Sequence, residues 1–362
     1  MRVALITDLP FWYSKTMYLN ELEKRMVQNG IDVKVFVVEP RFFKKIDLHT
    51  GIVRFLNVAL LLKTLSDFDL LHINFTHLAF TFLFFRSLRL FNKPIIIHTH
   101  GFDVFTVPEI SYGFRLKMVG QVFTAYSWKR ANRIIAVCKK AKSEIENAGI
   151  GSEKVDVIYN GIDENFFRKK LDELPNEMAS IRENNDLIFV SVASILPVKN
   201  HARMLNAFEQ LVKRYQTKRR IKLVLIGSRE YPHLFRIENP NIVYLGKKNH
   251  SELNQFYSFA DAFVLPSLSD ANPWSMLEAM SCELPTIASD VGGIPEILDD
   301  SRFRFNPLDT QDILGKFELV TQMSPDERKI IGAANRQKIL DEFTLDNHLK
   351  KLKEIYETLT SK

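Results

Sequence analysis

Short β-branched runs alternate with segments of helical period along the first half of the chain. Val3–Thr7 is such a run. Met17–Asn29 follows with apolar positions at helical spacing and Gly30 at its end, where a glycine closes a helix. Asp32–Val38, Leu70–Ile73, Pro94–His98, Arg133–Val137 and Val155–Ile158 continue the series, with the long apolar segment Leu78–Phe91 inside it. This rhythm predicts a parallel sheet covered by helices on both faces. Residues 164–186 break it: Arg168-Lys-Lys170, Asp172, Glu173 and Pro175 read as a polar linker. A second series then runs through Leu187–Val192, Ile221–Ile226, Ile242–Tyr244, Ala262–Leu265 and Thr286–Ala288. The tail from Ser324 reads as helical, with Ser324 as N-cap and Pro325-Asp-Glu327 in the first turn. The expected fold class is α/β, with two doubly wound domains, residues 1–167 and 168–340, facing across a cleft. A C-terminal helix, 341–362, is expected to pack back on the first domain. Ligands of such sheets sit at the carboxyl ends of the strands.

Composition narrows this picture. The 362 residues are 46% apolar and 25% charged, which are globular proportions. Cys138 and Cys282 are too few for a disulfide framework or a cysteine zinc site, and the histidines show no metal spacing. The N-terminus reads as a strand ending at Asp8, not as a signal peptide, and no run of 18 apolar residues occurs; the cytoplasm is the expected compartment. Residues 1–167 carry 22 Lys and Arg against 16 Asp and Glu, a surplus of six, while 168–362 carry 27 of each. The basic half is expected to face something anionic, such as a phosphate-bearing lipid or the inner face of a membrane. Nucleic acid is not expected, since Lys218-Arg-Arg220 reads as a solvated helix end and no recognition motif is present.

The stretch from Pro266 to Pro285 carries the clearest chemistry. Asp270 falls in a polar loop after a strand. Glu278 comes eight residues later, about one turn into a helix starting near Ser275. The start of that helix presents backbone N–H groups that suit a phosphate. Carboxylates beside an anion site make sense if they accept hydrogen bonds from sugar or ribose hydroxyls.

This acidic-x7-Glu helix, with Glu278-Ala-Met280 and Pro285, resembles the retaining glycosyltransferases of the GT-B fold, family 4. Val157-Ile-Tyr-Asn-Gly-Ile-Asp163 with Phe166, Leu225-Ile-Gly227, Val243-Tyr-Leu-Gly246, Leu253 with Tyr257, Ala260-Asp261, Pro266-Ser267 and Val291-Gly-Gly-Ile-Pro-Glu296 match in order, as does His98-Thr-His-Gly101 with Asp103. The resemblance implies two Rossmann-like domains. The C-terminal one would hold a nucleoside diphosphate sugar, UDP- or GDP-linked, as co-substrate; no cofactor and no metal are implied. The N-terminal one would hold a glycan or lipid-linked acceptor for surface polysaccharide synthesis. By position, Glu278 would hold ribose hydroxyls, Asp270 the transferred sugar, Lys199 the departing diphosphate, and His100 would sit near the reacting centre. Ser194, Gly227, Asn272, Pro273, Trp274, Ser275 and Leu277 would line the donor. Tyr13, Ser14, Lys15 and Asp103 would lie on the acceptor side. Asp270 stands where the family usually has Glu, Ala193-Ser194 where it often has Gly-Arg, and Pro10-Phe-Trp-Tyr-Ser-Lys15 where it has a Gly-Gly loop. One phosphate cation is therefore missing; Arg203 and Lys247 are the candidates to replace it, and its going unreplaced is the alternative.

Plainer readings stand beside these. His98 and His100 are expected to face apart, with His98 packed and His100 functional. Asp103 also fits a cap for the next turn. Gly149-Ile-Gly151 follows a helix and reads as its C-cap turn, not a dinucleotide loop. Phe75–Phe91 reads as a buried crossover helix, with a lipid-facing edge as the alternative. Tyr112–Trp128, where Phe114, Met118, Val122, Phe123, Tyr126 and Trp128 alternate with basic residues, has the makeup of an interfacial helix. Two other functions fit the same residues: a degenerate, non-catalytic transferase acting as a scaffold, and a GT-B-fold sugar-nucleotide epimerase.

Overall fold

The computed structural model describes residues 1–7, 17–37, 61, 64–170, 176–179, 181–182, 186–215, 220–229, 231 and 237–361. Tyr13, Ser14 and Lys15 lie outside the described residues. The chain divides into two compact units, residues 1–160 with 345–362, and residues 161–344.

The first unit is built from β1 (Arg2–Thr7), α1 (Met17–Gln28), β2 (Asp32–Val37), β3 (Leu70–Asn74), α2 (Thr76–Ser87), β4 (Ile95–Thr99), α3 (Met118–Arg130), β5 (Arg133–Ala136), α4 (Lys139–Asn147) and β6 (Val155–Val157). The six strands are parallel and lie in the order β2-β1-β3-β4-β5-β6. β3 and β4 are buried at every position, as expected of central parallel strands covered on both faces. α2 is the buried crossover: Leu78, Ala79, Phe82 and Leu83 are all fully buried. Phe80 stacks on Phe123 of α3 with ring centroids 4.0 Å apart.

The second unit contains α5 (Asn176–Ala179), β7 (Leu187–Val192), α6 (His201–Tyr215), β8 (Ile221–Ile226), β9 (Ile242–Tyr244), α7 (Leu253–Phe259), β10 (Ala262–Leu265), α8 (Trp274–Ser281), β11 (Thr286–Ser289), α9 (Ile294–Ile297), β12 (Arg304–Phe305), α10 (Thr310–Gln322) and α11 (Pro325–Glu342). Its sheet is also parallel, in the order β12-β11-β10-β7-β8-β9. In each sheet the chain order runs outward in two directions from a central pair: β1 and β3 in the first, β7 and β10 in the second. That pair is the topological switch point, where helices leave for opposite faces and a crevice opens at the strand ends.

The last helix, α12 (Leu345–Thr360), lies in the first unit. Leu345, Leu349, Leu352, Ile355 and Tyr356 share a core with Val3 and Leu5 of β1 and Leu22 and Met26 of α1. Arg25 pairs with Asp346 at 2.9 Å beside it. The division falls at 160/161 and 344/345 rather than at 167/168 and 340/341. The reason is local packing. Ile162 donates its N–H to the Phe343 carbonyl at 3.0 Å. Phe167 is buried, and its carbonyl accepts from Arg336 at 3.2 Å. The start of the expected linker therefore belongs to the second unit, and Met178, buried within the short helix α5, anchors a later part of it.

Phe189, Phe208 and Phe317 form an edge-on aromatic cluster beneath β7, with Phe317 4.9 Å from Phe189 and fully buried. Phe317→Ala removes the ring from two edge-on contacts and is expected to cost on the order of 3–5 kcal/mol. A urea titration followed by far-UV dichroism measures it; a loss below about 1 kcal/mol would contradict this packing.

Candidate functional site

The carboxyl ends of β7 and β10 are neighbours at the switch point, and each feeds a loop that carries a charged residue. After β7 come Ala193, Ser194 and a 3-10 turn, Pro197–Lys199. After β10 comes the loop with Asp270. Lys199 Nζ and Asp270 Oδ2 are 2.5 Å apart, both less than a quarter exposed. Ser267 Oγ donates to the same oxygen at 3.2 Å. The two loops are tied by their backbones, the Leu268 N–H donating to the Val198 carbonyl at 2.7 Å. The loop after β11 closes on them: Gly293 N–H donates to the Asp270 carbonyl at 3.1 Å. Gly292, at φ +57°, lies so close that a Cβ there would come within 1.9 Å of the Asp270 carbonyl oxygen. Only glycine allows this approach.

The donor-side residues named from the sequence divide into several kinds. Ser194 Oγ accepts from Ser228 Oγ at 2.9 Å. Gly227 directly follows β8, and a Cβ there would sit 2.0 Å from the Ala193 carbonyl oxygen just after β7, so the two strands lead into closely spaced backbone. Asn272 and Pro273 are buried and Trp274 is half-buried at the start of α8. The helix's own bonds begin at Met276 and Leu277, whose N–H groups donate to the Pro273 carbonyl at 3.1 and 3.2 Å. Ser275, half-buried, stands ahead of them. Leu277 does not fit a donor-binding role: its side chain is fully buried and its N–H is used within the helix. Arg203 Nη1 donates to Asn200 Oδ1 at 3.1 Å and to the Pro307 carbonyl at 3.2 Å.

Glu278 is buried, with both carboxylate oxygens engaged. Oε1 lies 2.7 Å from His250 Nε2, and Oε2 accepts from the Tyr257 hydroxyl at 2.8 Å. Burial pulls the His250 pKa down, but the charge and hydrogen bond of Glu278 together outweigh it, and the net shift is upward. His250 was not visible as a site residue in the sequence, since it meets Glu278 across 28 positions and belongs to no local motif. His201, at the start of α6, is held neutral, its pKa lowered to about 4 by burial and by the charge of Lys199. Among the described residues no three His, Cys, Asp or Glu side chains are grouped to hold a metal ion.

In the first unit, the ends of β3 and β4 carry a stack of histidines. His98 and His100 do not face apart: their rings stack with centroids 4.5 Å apart, because residues two apart on a strand share a face. His72 Nε2 meets His98 Nδ1 at 3.1 Å, and His72 Nδ1 meets the Tyr356 hydroxyl of α12. His348, also from α12, bonds through Nδ1 to the Tyr159 carbonyl at 2.7 Å. His100 is half-buried and reaches Asn74 Oδ1 at 2.8 Å. Asp103 is fully buried and is not available to an acceptor. Its Oδ2 accepts from the Thr76 N–H and hydroxyl at 2.9 and 2.8 Å, and its Oδ1 accepts from the His100 N–H at 3.0 Å. It positions the His100 loop on the start of α2. Beside it, Phe75 holds a left-handed φ of 70°, a conformation that costs on the order of 1–3 kcal/mol in a residue with a side chain.

Burial lowers the pKa of His72 to about 3, with the charges of His348 and His100 acting the same way. Burial likewise lowers His348 to about 4 and pushes His98 well down. These side chains stay neutral when folded but protonate near 6.5 when unfolded. Their stabilising contribution is therefore complete above about pH 6.5 and is lost as pH falls toward 4, by up to about 1.4 kcal/mol per unit for each. Urea midpoints at pH 7, 6 and 5 are expected to fall in that order, and His348→Gln is expected to flatten the slope. Midpoints that do not change across this range would contradict neutral burial.

Residues 16–166 match the family model described as Glycosyltransferase Family 4, and residues 175–338 match that described as Glycosyl transferases group 1. The chain is 25% identical over 337 residues to the UDP-Gal:alpha-D-GlcNAc-diphosphoundecaprenol alpha-1,3-galactosyltransferase of Escherichia coli, covering 90% of this chain and 84% of that one. It is 28% identical over 199 residues to the serotype-specific mannosyltransferase WbdA of the same organism, covering 51% of this chain and 24% of WbdA. Among solved structures, sucrose-phosphate synthase from Thermosynechococcus elongatus superposes with a TM-score of 0.81 at 15% identity, over 100% of this chain and 99% of that one. Anabaena HepE in complex with UDP-glucose superposes at 0.75 and 16% identity, over 99% and 100% of the two chains. With both sequence models matched in order and two parallel doubly wound sheets of the GT-B kind, the chain belongs to the GT-B glycosyltransferases of group 1.

Proposed function

We propose that this protein is a retaining, metal-independent hexosyltransferase that moves a sugar from a UDP- or GDP-linked donor to a glycan or lipid-linked acceptor in surface polysaccharide synthesis. The observation that carries this reading is the meeting of Lys199 with Asp270 at the switch point of the second sheet, with Glu278 on the helix that follows. An ammonium has three donors. One reaches Asp270, which leaves two for the oxygens of a departing diphosphate. Asp270 faces hydroxyls of the transferred sugar, and Glu278 takes those of the ribose. In the reaction the bond from the anomeric carbon to the diphosphate oxygen breaks, and the acceptor hydroxyl attacks the same face. The departing phosphate oxygen takes the hydroxyl proton, so no separate base is required. Lys199 and the N–H of Ser275 balance the charge that develops on the diphosphate. The relatives lend support in their own names: one uses UDP-Gal and a diphosphoundecaprenol-linked acceptor, and HepE binds UDP-glucose.

An acceptor tethered to lipid calls for a surface that meets a bilayer, and α3 supports one. Among the described residues no helix is long and apolar enough to cross a membrane. The aromatic residues of this segment turn inward: Trp128 is buried with Nε1 donating to Thr76 Oγ1 at 3.0 Å, while Phe123 and Tyr126 pack on Phe80. What α3 leaves exposed is Met118, Val119 and Val122, beside Lys117, Lys129 and Arg130. From Leu70 to Ser143 the chain has eleven Lys and Arg but only Asp103 and Glu109 as acids, and Asp103 is buried. An apolar strip with cations and no exposed acid on its helix fits an anionic lipid surface.

Two measurements test these assignments. In a thermal-shift panel of UDP-, GDP- and ADP-sugars without added metal, one nucleotide class is expected to raise the midpoint of the wild type and to do so weakly with Glu278→Ala. Lys199→Ala is then expected to lower kcat by roughly 10²–10³. No shift with any nucleotide sugar would favour the scaffold reading. For the surface, sedimentation with vesicles containing phosphatidylglycerol is expected to carry the protein down at low salt. Val119→Asp with Val122→Asp is expected to leave it in the supernatant; equal pelleting of the variant would remove α3 from the contact.

A further inference from the structure

His250 has no part in the assignments above, yet it is one of two side chains that hold the carboxylate of Glu278. We infer that His250 is a positioning residue for nucleotide recognition: it clamps the Glu278 carboxylate so that one acceptor site on each oxygen is left for the two ribose hydroxyls. The inference rests on the donor role proposed for Glu278 and adds the residue through which that role is set.

The argument begins with counting. A carboxylate has about four lone-pair sites, two on each oxygen. His250 Nε2 occupies one on Oε1 and the Tyr257 hydroxyl one on Oε2. Counting the described residues, one site per oxygen remains, the number needed by a vicinal diol that donates twice. A buried charged side chain also needs a partner, because an isolated ionised carboxylate out of water is costly. Glu278 keeps only 5% side-chain exposure, and His250 is the one ion-pair partner it has among the described residues. Tyr257 is neutral and fully buried, so it fixes direction without balancing charge.

His250 is itself well held. The turn it opens is closed by a capping box, in which the Asn249 N–H donates to Glu252 Oε2 at 2.8 Å and the Asn249 side chain accepts in return. Its ring sits edge-on to Phe167, 5.2 Å away, and Phe167 also lies against Tyr257 at 6.2 Å. The neighbouring charges are engaged elsewhere: Lys248 pairs with Glu177 at 2.6 Å, and Glu252 serves the cap. The buried Cys282 thiol donates to Asn254 Oδ1 at 3.0 Å, and burial pushes its pKa well up, so it adds no charge beside Glu278. Among the described residues His250 Nδ1 is buried with no hydrogen-bond partner, so the imidazole's one hydrogen bond there is the one to Glu278. Its pKa, raised by Glu278 against the pull of burial, agrees with a pair that stays charge-balanced.

The test uses UDP and GDP together with their 2′,3′-dideoxy counterparts, binding to the full chain by calorimetry. Wild type is expected to bind the ribonucleotide of one base at least tenfold more tightly than its dideoxy counterpart. His250→Ala is expected to reduce that ratio to within about twofold, since Glu278 is no longer aimed. His250→Gln, whose amide can donate as Nε2 does, is expected to recover most of it. A general loss of structure would weaken both ligands together and leave the ratio alone. Should the alanine variant unfold, as a melting curve would show, His250→Asn, too short to reach Glu278, takes its place. Wild type that binds the ribonucleotide and discriminates, with a variant that discriminates equally, overturns the role of His250 and leaves the transferase reading standing. Wild type that binds neither nucleotide overturns both.

Discussion

Lys199 and Asp270 join the two loops on which the candidate donor site is built. Each loop follows one strand of the central pair of the second sheet, and 71 positions separate the two residues in the chain. The ion pair is mostly buried, so either charge left alone would face a desolvation cost that the other now offsets. Backbone bonds from Leu268 to Val198 and from Gly293 to Asp270 hold the loops in the same arrangement. Asp270 is thus fixed from two sides, and Gly292 is the residue that lets the third loop come close enough to do so. A shorter acid than the family's usual glutamate is consistent with this closeness: its single methylene brings the carboxylate directly to Lys199.

The same side-chain chemistry behaves in opposite ways in the two units. His72, His98 and His348 stand among other histidines and a tyrosine, with no ion pair to a carboxylate among the described residues, and burial keeps them neutral. His250 stands against Glu278, and the carboxylate reverses the effect of burial. The first arrangement ties α12 to the ends of β3 and β4, so the chain's last helix shapes the surroundings of His100. The second holds the buried carboxylate of Glu278 together with the Tyr257 hydroxyl. Asp103 shows a third use of a buried charge: it accepts three hydrogen bonds and orients the backbone of the loop that bears His100.

The repeating strand-and-helix rhythm, the two doubly wound sheets and the placement of Asp270 in a loop with Glu278 on the next helix were all legible in the amino-acid sequence. They depend on local periodicity and on spacing of a few residues, which the chain states directly. The reading of His98 and His100 as facing apart was a misreading of the same alternation: residues two apart on an extended chain share a face, and their rings stack. The order of the strands was not legible. That β7 lies beside β10, so that Lys199 meets Asp270, depends on which hydrophobic edges pair across tens of residues. The partners of Glu278, the engagement of Asp103 by Thr76, and the packing of Phe167 under α7 all follow from contacts between segments far apart in sequence. Local pattern decides what each segment becomes; the burial of side chains between segments decides which polar groups are left to meet a ligand.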